Sequence, residues 1–392
     1  MNAPAHWNVV VIGAGPAGSV AAYQLARAGL RVALIERTVG PRYKVCGGCL
    51  NERGLSVLEQ CGLGDVVRDE LAAPLRQIVF HRDARQVAIN GQVGAIVNRA
   101  TFDAALAAAA VQAGAEFFSG VKAIVEPLNA VTAAHESATR TVSLQHGTDG
   151  TLDHITAELV VVADGLGRPS LQRLAEFDAV TAPHSRLGLG VTPSETLVSV
   201  GYAPATLSMA LVDDGYLGVA RLADGRLCLG AAIDAAVARR GALDRWLADA
   251  IARCGLPAID GLSSASIRGT RPLTQRPART AGRRIVLIGD AAGYTEPITG
   301  EGMAWGLAAA AAVAPFALNA GREWRPEFAA AWERTLRRDV YGGQYVNRLL
   351  AATLRRPRYA RRVFAAAAAL PSLTAPIVRR LNRPQAVARI AA

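Results

Sequence analysis

The segment VVVIGAGPAGSVAAYQLARAGLRVALIE, from Val9 to Glu36, restricts the possible folds more than any other part of this chain. An apolar run meets Gly13, Gly15 and Gly18 at the G-x-G-x-x-G spacing, an Ala-rich stretch follows, and a second apolar run closes on Glu36. The pattern predicts strand, tight turn, helix and second strand. The first glycine permits the turn, the second lets backbone approach a pyrophosphate, and the third lets helix pack on strand. The helix N-terminus then faces the phosphates. Glu36 is placed to accept hydrogen bonds from ribose hydroxyls. A lone glycine pattern is weak evidence, but here all the surrounding parts fall in place, and the reading is a nucleotide-binding unit.

This unit alone does not separate NAD from FAD. A distant segment, RRIVLIGDAAGYTEPITGEGMAWG from Arg283 to Gly306, does. IVLIGD reads as a buried strand ending at Gly289 and Asp290, where a carboxylate meets the hydroxyls of a ribityl chain. Pro297 stiffens the next turn, and Gly300 and Gly302 remove side chains where backbone must touch a flat ring. A helix starting near Gly302 aims its positive end at the pyrimidine edge of a flavin. A third piece, VVVADGLGRPSLQR, places Asp164 and Gly165 after another apolar strand, with Arg173 beyond them.

With these pieces in hand the chain resembles the p-hydroxybenzoate-hydroxylase-type flavoproteins and, within them, the geranylgeranyl-reductase-like group. The matching pieces are the dinucleotide turn, PRYKVCGGCL at 41–50, NRATFDAAL at 98–106, ADG at 163–165 and GDAAGYTEPITGEGM at 289–303. The resemblance implies an α/β fold: a Rossmann-like FAD-binding domain with an antiparallel β-sheet substrate domain and a helical C-terminal region. It implies that Gly13, Gly15, Ala17, Gly18 and Glu36 hold the ADP part, and that Arg99 faces the pyrophosphate and ribityl region. Without the neighbouring motif Arg99 would read as a solvated surface arginine. Val121 would touch the adenine through its backbone, at the end of the strand after the NRATFDAAL helix. Asp164 and Asp290 would lie along the cofactor, Asp290 on the ribityl, while Pro297, Gly300 and Gly302 border the isoalloxazine and the turn at Gly47 and Gly48 lies over it. The expected FAD-binding domain is discontinuous, covering 1–75, 98–180 and 268–330. The substrate domain covers 76–97 and 181–267, and 331–392 forms a helical basic cap. Strand-like alternation at 77–90 and from about 185 to 233, with a hairpin signal at Asp224-Gly225, suggests a sheet that shields one flavin face.

At 392 residues and 51% hydrophobic content, the chain can bury a large core. The N-terminal MNAPAHW has no basic region followed by an apolar stretch, so a cytoplasmic origin is expected. The most apolar window, GMAWGLAAAAAVAPFAL, covers 17 residues and contains Pro315. A membrane span wants ~20 consecutive apolar residues, so a helix buried against the cofactor domain is the better reading. Residues 321–392 carry 15 arginines against 4 acids, which equals the net charge of the whole chain, +11. Arg355, Arg358 and Arg362 fall on one helical face and Tyr359, Val363, Ala366 and Leu370 on another. Two readings stay open: a peripheral contact with anionic lipid headgroups, or a solvated face in a chain that uses arginine almost everywhere and has only Lys44 and Lys122 as lysines. No nucleic-acid recognition motif or aromatic interleaving accompanies the charge, so nucleic acid is not an expected partner.

Cys46 and Cys49 form C-G-G-C shortly after Glu36. They can shape the cofactor site by packing, or Cys46 can do redox or catalytic work. A zinc half-site would need two more ligands, and the six histidines form no spaced cluster, so no metal is assigned. In the pocket wall, geranylgeranyl reductases carry an aromatic Y-x-W-x-F-P strand, against which this chain sets Leu217, Val219, Arg221 and Leu222. Tyr216 and Arg221 are candidates to orient a phenol, enol or carboxylate; a strand arginine is otherwise simply solvated. Reduced flavin either passes a hydride to an activated double bond or reacts with oxygen to hydroxylate an electron-rich ring. The favoured expectation is an NAD(P)H-dependent monooxygenase of a hydrophobic phenolic, quinone or polyketide-like molecule, NAD(P)H binding only transiently. The alternatives are a carbon–carbon double-bond reductase of a lipid or prenyl group and a flavin-binding redox sensor.

Overall fold

Valines, leucines and isoleucines recur without polar interruption in the chain's first strand-like segments, the mark of strands covered on both faces. The computed structural model describes residues 5–40, 43–68, 72–83, 85–128, 139–147, 151–192, 194–296, 298, 300–320 and 323–370. It opens with β1 (Ala5–Ile12), α1 (Pro16–Arg27) and β2 (Val32–Glu36), as the glycine pattern predicts. Next come β3 (Cys49–Asn51), α2 (Glu52–Gln60), the long hairpin β4 (Ala72–Arg82) and β5 (Arg85–Val97), and α3 (Arg99–Gln112). Asn51 and Asn98 cap the two helices, accepting from the backbone N–H groups of Gly54 and Ala100. Strands β6 (Glu116–Ser119), β7 (Val121–Val125), β8 (Arg140–His146) and β9 (Thr151–Val162) follow. Val121 therefore opens the second strand after α3, across a turn at Gly120, rather than ending the first.

The middle of the chain supplies β10 (Ala179–Thr181), β11 (Leu187–Val191), β12 (Thr206–Val212), β13 (Gly215–Arg221), β14 (Leu227–Ile233) and α4 (Leu243–Arg253). Then come β15 (Ile267–Pro272), β16 (Gln275–Pro277), β17 (Ala281–Gly282) and β18 (Ile285–Leu287). Helices α5 (Gly302–Ala320), α6 (Pro326–Leu336), α7 (Gly342–Leu354) and α8 (Pro357–Ala369) complete the described chain, with a π-helical turn over Arg337–Tyr341. The rest of the expected C-terminal cap, 371–392, lies outside the described residues.

Two large sheets result. In the first, β18, β9, β1, β2 and β6 run parallel, and β8 and β7 add an antiparallel extension to β9. The second follows the order β15-β11-β14-β13-β12-β4-β5-β3. It is not wholly antiparallel as expected: β12 runs parallel to β4, because the chain returns from the first sheet before adding that strand. It also begins at Ala72, takes in β3 and ends on β15, so it reaches past the expected boundaries at 75 and 268 on both sides. The Asp224-Gly225 turn joins β13 to β14, with Leu222 and Arg226 closing the hairpin.

Side chains alternate across the second sheet. On β13, Leu217 and Val219 pack with α4 on one side, while Tyr216 and Ala220 belong to the cluster on the other. Gly218 also faces that second side, where a cavity opens. Leu217 and Val219, set against the aromatic strand, therefore face α4 and not the cavity. Tyr216 and Gly218 line the cavity from this strand. Helix α5 is long and apolar enough to cross a membrane by composition, yet 67% of its most apolar window is buried. It packs against α1 and α2 at the centre of the main core.

Candidate flavin and substrate site

The turn between β1 and α1 is closed by atoms that leave no room for a side chain. A Cβ on Gly13, whose φ is +102°, would lie 2.5 Å from the Ala163 carbonyl oxygen, and one on Gly18 would lie 1.8 Å from that of Gly13. Gly15 caps α1 without a side chain, so the first-turn N–H groups face outward unpaired by any capping group. Pro16, at the first helical position, lacks an N–H where none would bond within the helix, so it breaks no helical hydrogen bond. Beneath the turn, buried Glu36 accepts from Ala14 N (3.0 Å) and Thr38 N (3.1 Å). Gly13, Glu36, Val121, Lys122 and Asp164 share one small cavity. Asp164 Oδ2 accepts from Ser170 N at 2.9 Å, while buried Oδ1 has no hydrogen-bond partner in the structure. Burial pushes this carboxyl above its usual range.

A larger cleft runs from this helix end to the second sheet, lined by Gly15 and Ala17, by Lys44, Cys46 and Gly47, by Arg99, and by Gly289, Asp290, Gly300 and Gly302. α5 begins at Gly302, on the cleft wall, as the motif predicts. Pro297 lies outside the described residues. Arg99 is buried and paired twice with Asp103 (2.8 and 2.8 Å), so the solvated reading fails. Arg173, in contrast, pairs with Glu126 on the surface. Gly300 and Gly302 have packing reasons of their own: a Cβ would lie 2.8 Å from Cys49 Sγ and 2.9 Å from the Tyr294 ring respectively.

The five cysteines are free. Gly48 (φ +67°) leaves room for the Val97 carbonyl, and Gly230 on β14 lets Gly47 approach where a Cβ would lie at 2.7 Å. The C-G-G turn is thereby wedged between two strands. Cys49 and Cys228 are buried, and desolvation pushes both thiols up to about 12, which makes them packing groups. Cys46 is half-buried and lines the cleft beside Arg99.

Tyr216 looks into the cleft from β13, with the Glu296 carboxylate nearby and the Arg186 guanidinium 5.7 Å from its ring. Glu296 is fully buried between Arg186 Nη1 (3.2 Å) and Arg355 Nη2 (3.0 Å), and Arg186 also pairs with Asp234. Arg221 does not join the cleft. It ends β13 and donates to the carbonyls of Tyr202 and Ser199, because its position puts it on the opposite face from Tyr216. Arg355, expected on an outer helical face, likewise turns inward to Glu296. Sequence reasoning missed Lys44, which sits 3.6 Å from Asp290, together with Arg186, Tyr294 and Glu296. The signals were slight: Lys44 is one of two lysines, while Tyr294 and Glu296 read as spacers inside a glycine motif.

Unpaired helix-end donors, a ribose-facing acid and a long cleft closed by glycines fit an extended dinucleotide with a flat ring at the sheet end. The site is therefore that of an FAD-binding oxidoreductase. Residues 6–187 match the family model described as FAD binding domain. The menaquinone reductase of Mycobacterium tuberculosis is 30% identical over 373 residues, covering 90% of this chain and 85% of that one. Digeranylgeranylglycerophospholipid reductase 2 of Methanopyrus kandleri is 29% identical, covering 76% and 73%. A flavoprotein/dehydrogenase from Cytophaga hutchinsonii superposes with a TM-score of 0.79 at 20% identity, covering 96% and 92% of the two chains. The chain belongs to the FAD-dependent oxidoreductases of the p-hydroxybenzoate hydroxylase superfamily, in their geranylgeranyl-reductase-like group.

Proposed function

We propose that this enzyme is a reductase, which adds a hydride and a proton across a carbon–carbon double bond of an isoprenoid-bearing lipid, with NAD(P)H restoring the reduced flavin. The observation that carries the reading is the sheet end of the cleft. Leu189, Leu207, Met209, Leu273 and Ile298 wall an apolar slot, and two phenols, Tyr216 and Tyr294, look into it. The relatives named above support it, since both names denote reductases of isoprenoid lipids. FAD, when bound, supplies the hydride chemistry. The chain's own residues exclude water, hold the acceptor flat along the slot and deliver the proton. Tyr216 stands beside the Glu296–Arg186 pair and forms a wall of the slot. The Tyr294 hydroxyl has no side-chain partner among the described residues, and it is the proton source. Oxygenation of a phenolic molecule is the competing outcome of the test. Flavin reduced without oxygen is mixed anaerobically with menaquinone or a geranylgeranyl lipid. Reoxidation with a product that stays two mass units heavier in its isoprenoid chain after the ring is returned to the quinone supports the reductase. Reoxidation by oxygen alone, with a hydroxylated phenol as product, overturns it.

We also propose that α8 touches the membrane that carries such a lipid. Tyr359, Val363 and Leu370 are exposed there, with exposed Arg358 and Arg362 beside them, a combination suited to an anionic bilayer surface. The protein is expected to float with phosphatidylserine vesicles and to stay behind when Arg358 and Arg362 are both changed to Glu. Wild-type protein that ignores such vesicles removes the contact.

A further inference from the structure

A second cavity, of about 470 Å³, lies on the other side of Tyr294, between the β10–β16 ribbon and α7. Its volume falls in the range of small-molecule sites. The charged side chains lining it among the described residues are Arg276, Arg348 and Arg355, with no carboxylate among them. Arg355 is balanced by Glu296. Among the described residues Arg276 and Arg348 have no acidic partner within ion-pair distance, so two positive charges face the space. Arg276 is held over the Tyr341 ring at 5.0 Å, which fixes the direction of its fork.

An independent observation comes from Gln344, which is 2% exposed in the cavity wall. Its Oε1 accepts from Thr295 Oγ1 (3.1 Å) and Arg348 Nη2 (3.3 Å), and its Nε2 is left with no partner. Arg355 Nε is buried and unpartnered as well. These buried groups stiffen the wall, and the exposed forks of Arg276 and Arg348 are the donors left to meet an acceptor-rich ligand. Every such group here is a donor, and guanidinium forks match phosphate oxygens.

We propose that this cavity binds the phosphate or diphosphate group of an organic ligand. Two sources share that chemistry: the electron-donating dinucleotide, and a phosphorylated lipid acceptor. Tyr294 walls both cavities, so a ligand anchored here by its phosphates lies next to the flavin cleft. The assignment does not depend on which acceptor is reduced.

Calorimetric titration of the FAD-loaded full chain with inorganic pyrophosphate tests it without turnover. One saturable site is expected, weakened at least tenfold in R276A/R348A, consistent with roughly 1.5–3 kcal/mol for a hydrogen bond to a charged group. Both side chains are surface-accessible, so folding and flavin content should persist. The control R239A/R240A removes the same charge from exposed positions elsewhere and should bind as the wild type does. No saturable site, an unchanged affinity in R276A/R348A, or equal weakening in both double variants overturns the proposal. The source follows from steady-state kinetics: the KM of NADPH rises at least tenfold in R276A/R348A if the dinucleotide is the ligand. A rise confined to a diphosphate-bearing prenyl acceptor identifies the acceptor instead.

Discussion

Changing Gly18 to Ala is expected to produce a protein that purifies without flavin and has no activity. The new Cβ would lie 1.8 Å from the Gly13 carbonyl oxygen and 3.2 Å from the Ala163 Cβ. Neither neighbour can give way, because Gly13 is itself pressed against Ala163 and hydrogen-bonded to the Ile35 carbonyl. α1 must therefore move off β1, and the unpaired N–H groups at its start lose their aim at the diphosphate. Overpacking of this kind costs about 1–3 kcal/mol, and more when backbone is the obstacle. Gly29→Ala is the matching control. Gly29 has φ +78° but nothing within 4 Å of its missing Cβ, so only backbone strain of about 1–2 kcal/mol is expected. The control should melt earlier yet keep its flavin. The ratio of flavin to protein absorbance after purification separates the two, and a yellow, active Gly18→Ala enzyme would remove the diphosphate site from this turn.

That the turn could be read from sequence at all reflects its locality. Strand, turn, helix and acid follow one another within 28 residues, and each glycine answers a contact with a near neighbour or with one adjoining strand. The second sheet is different. Its strands Leu217 to Val219 are buried on both faces, so apolarity carries no information about which side chain meets the cleft, and a shift of one residue exchanges the faces. The sequence therefore does not tell which of Tyr216 and Arg221 meets the cleft, whereas the fold puts Tyr216 on the cleft wall and Arg221 on the opposite face. The Arg186–Glu296–Arg355 group was illegible for another reason. Its members stand more than 50 residues apart and meet only when the C-terminal helices fold over the sheet. No spacing rule joins them, and Arg355 in particular looks like one more surface arginine until the fold turns it inward.

Replacing Tyr294 with Phe is expected to lower kcat about 10²-fold, the usual worth of a positioned proton donor, with flavin content unchanged. The ring must stay, since Gly302 packs against it, and Phe preserves that contact. Only the hydroxyl is lost. In the native enzyme burial, reinforced by the nearby Asp290 carboxylate, holds this phenol well above the ordinary tyrosine range. A donor works in its protonated form, which is present below its folded pKa. The rate of double-bond reduction should therefore not fall as pH rises towards 10, where an exposed tyrosine would begin to ionise. Tyr216→Phe should behave differently, because Tyr216 lies against the Glu296 carboxylate and the Arg186 guanidinium and serves as a wall of the slot. Its loss is expected mainly in KM, with kcat reduced less than tenfold. A solvent deuterium isotope effect on kcat that survives in Tyr216→Phe and vanishes in Tyr294→Phe would locate the transferred proton on Tyr294. If Tyr216→Phe abolishes turnover and Tyr294→Phe leaves it intact, the proton instead travels through Tyr216 from the buried glutamate, and the two phenols exchange roles.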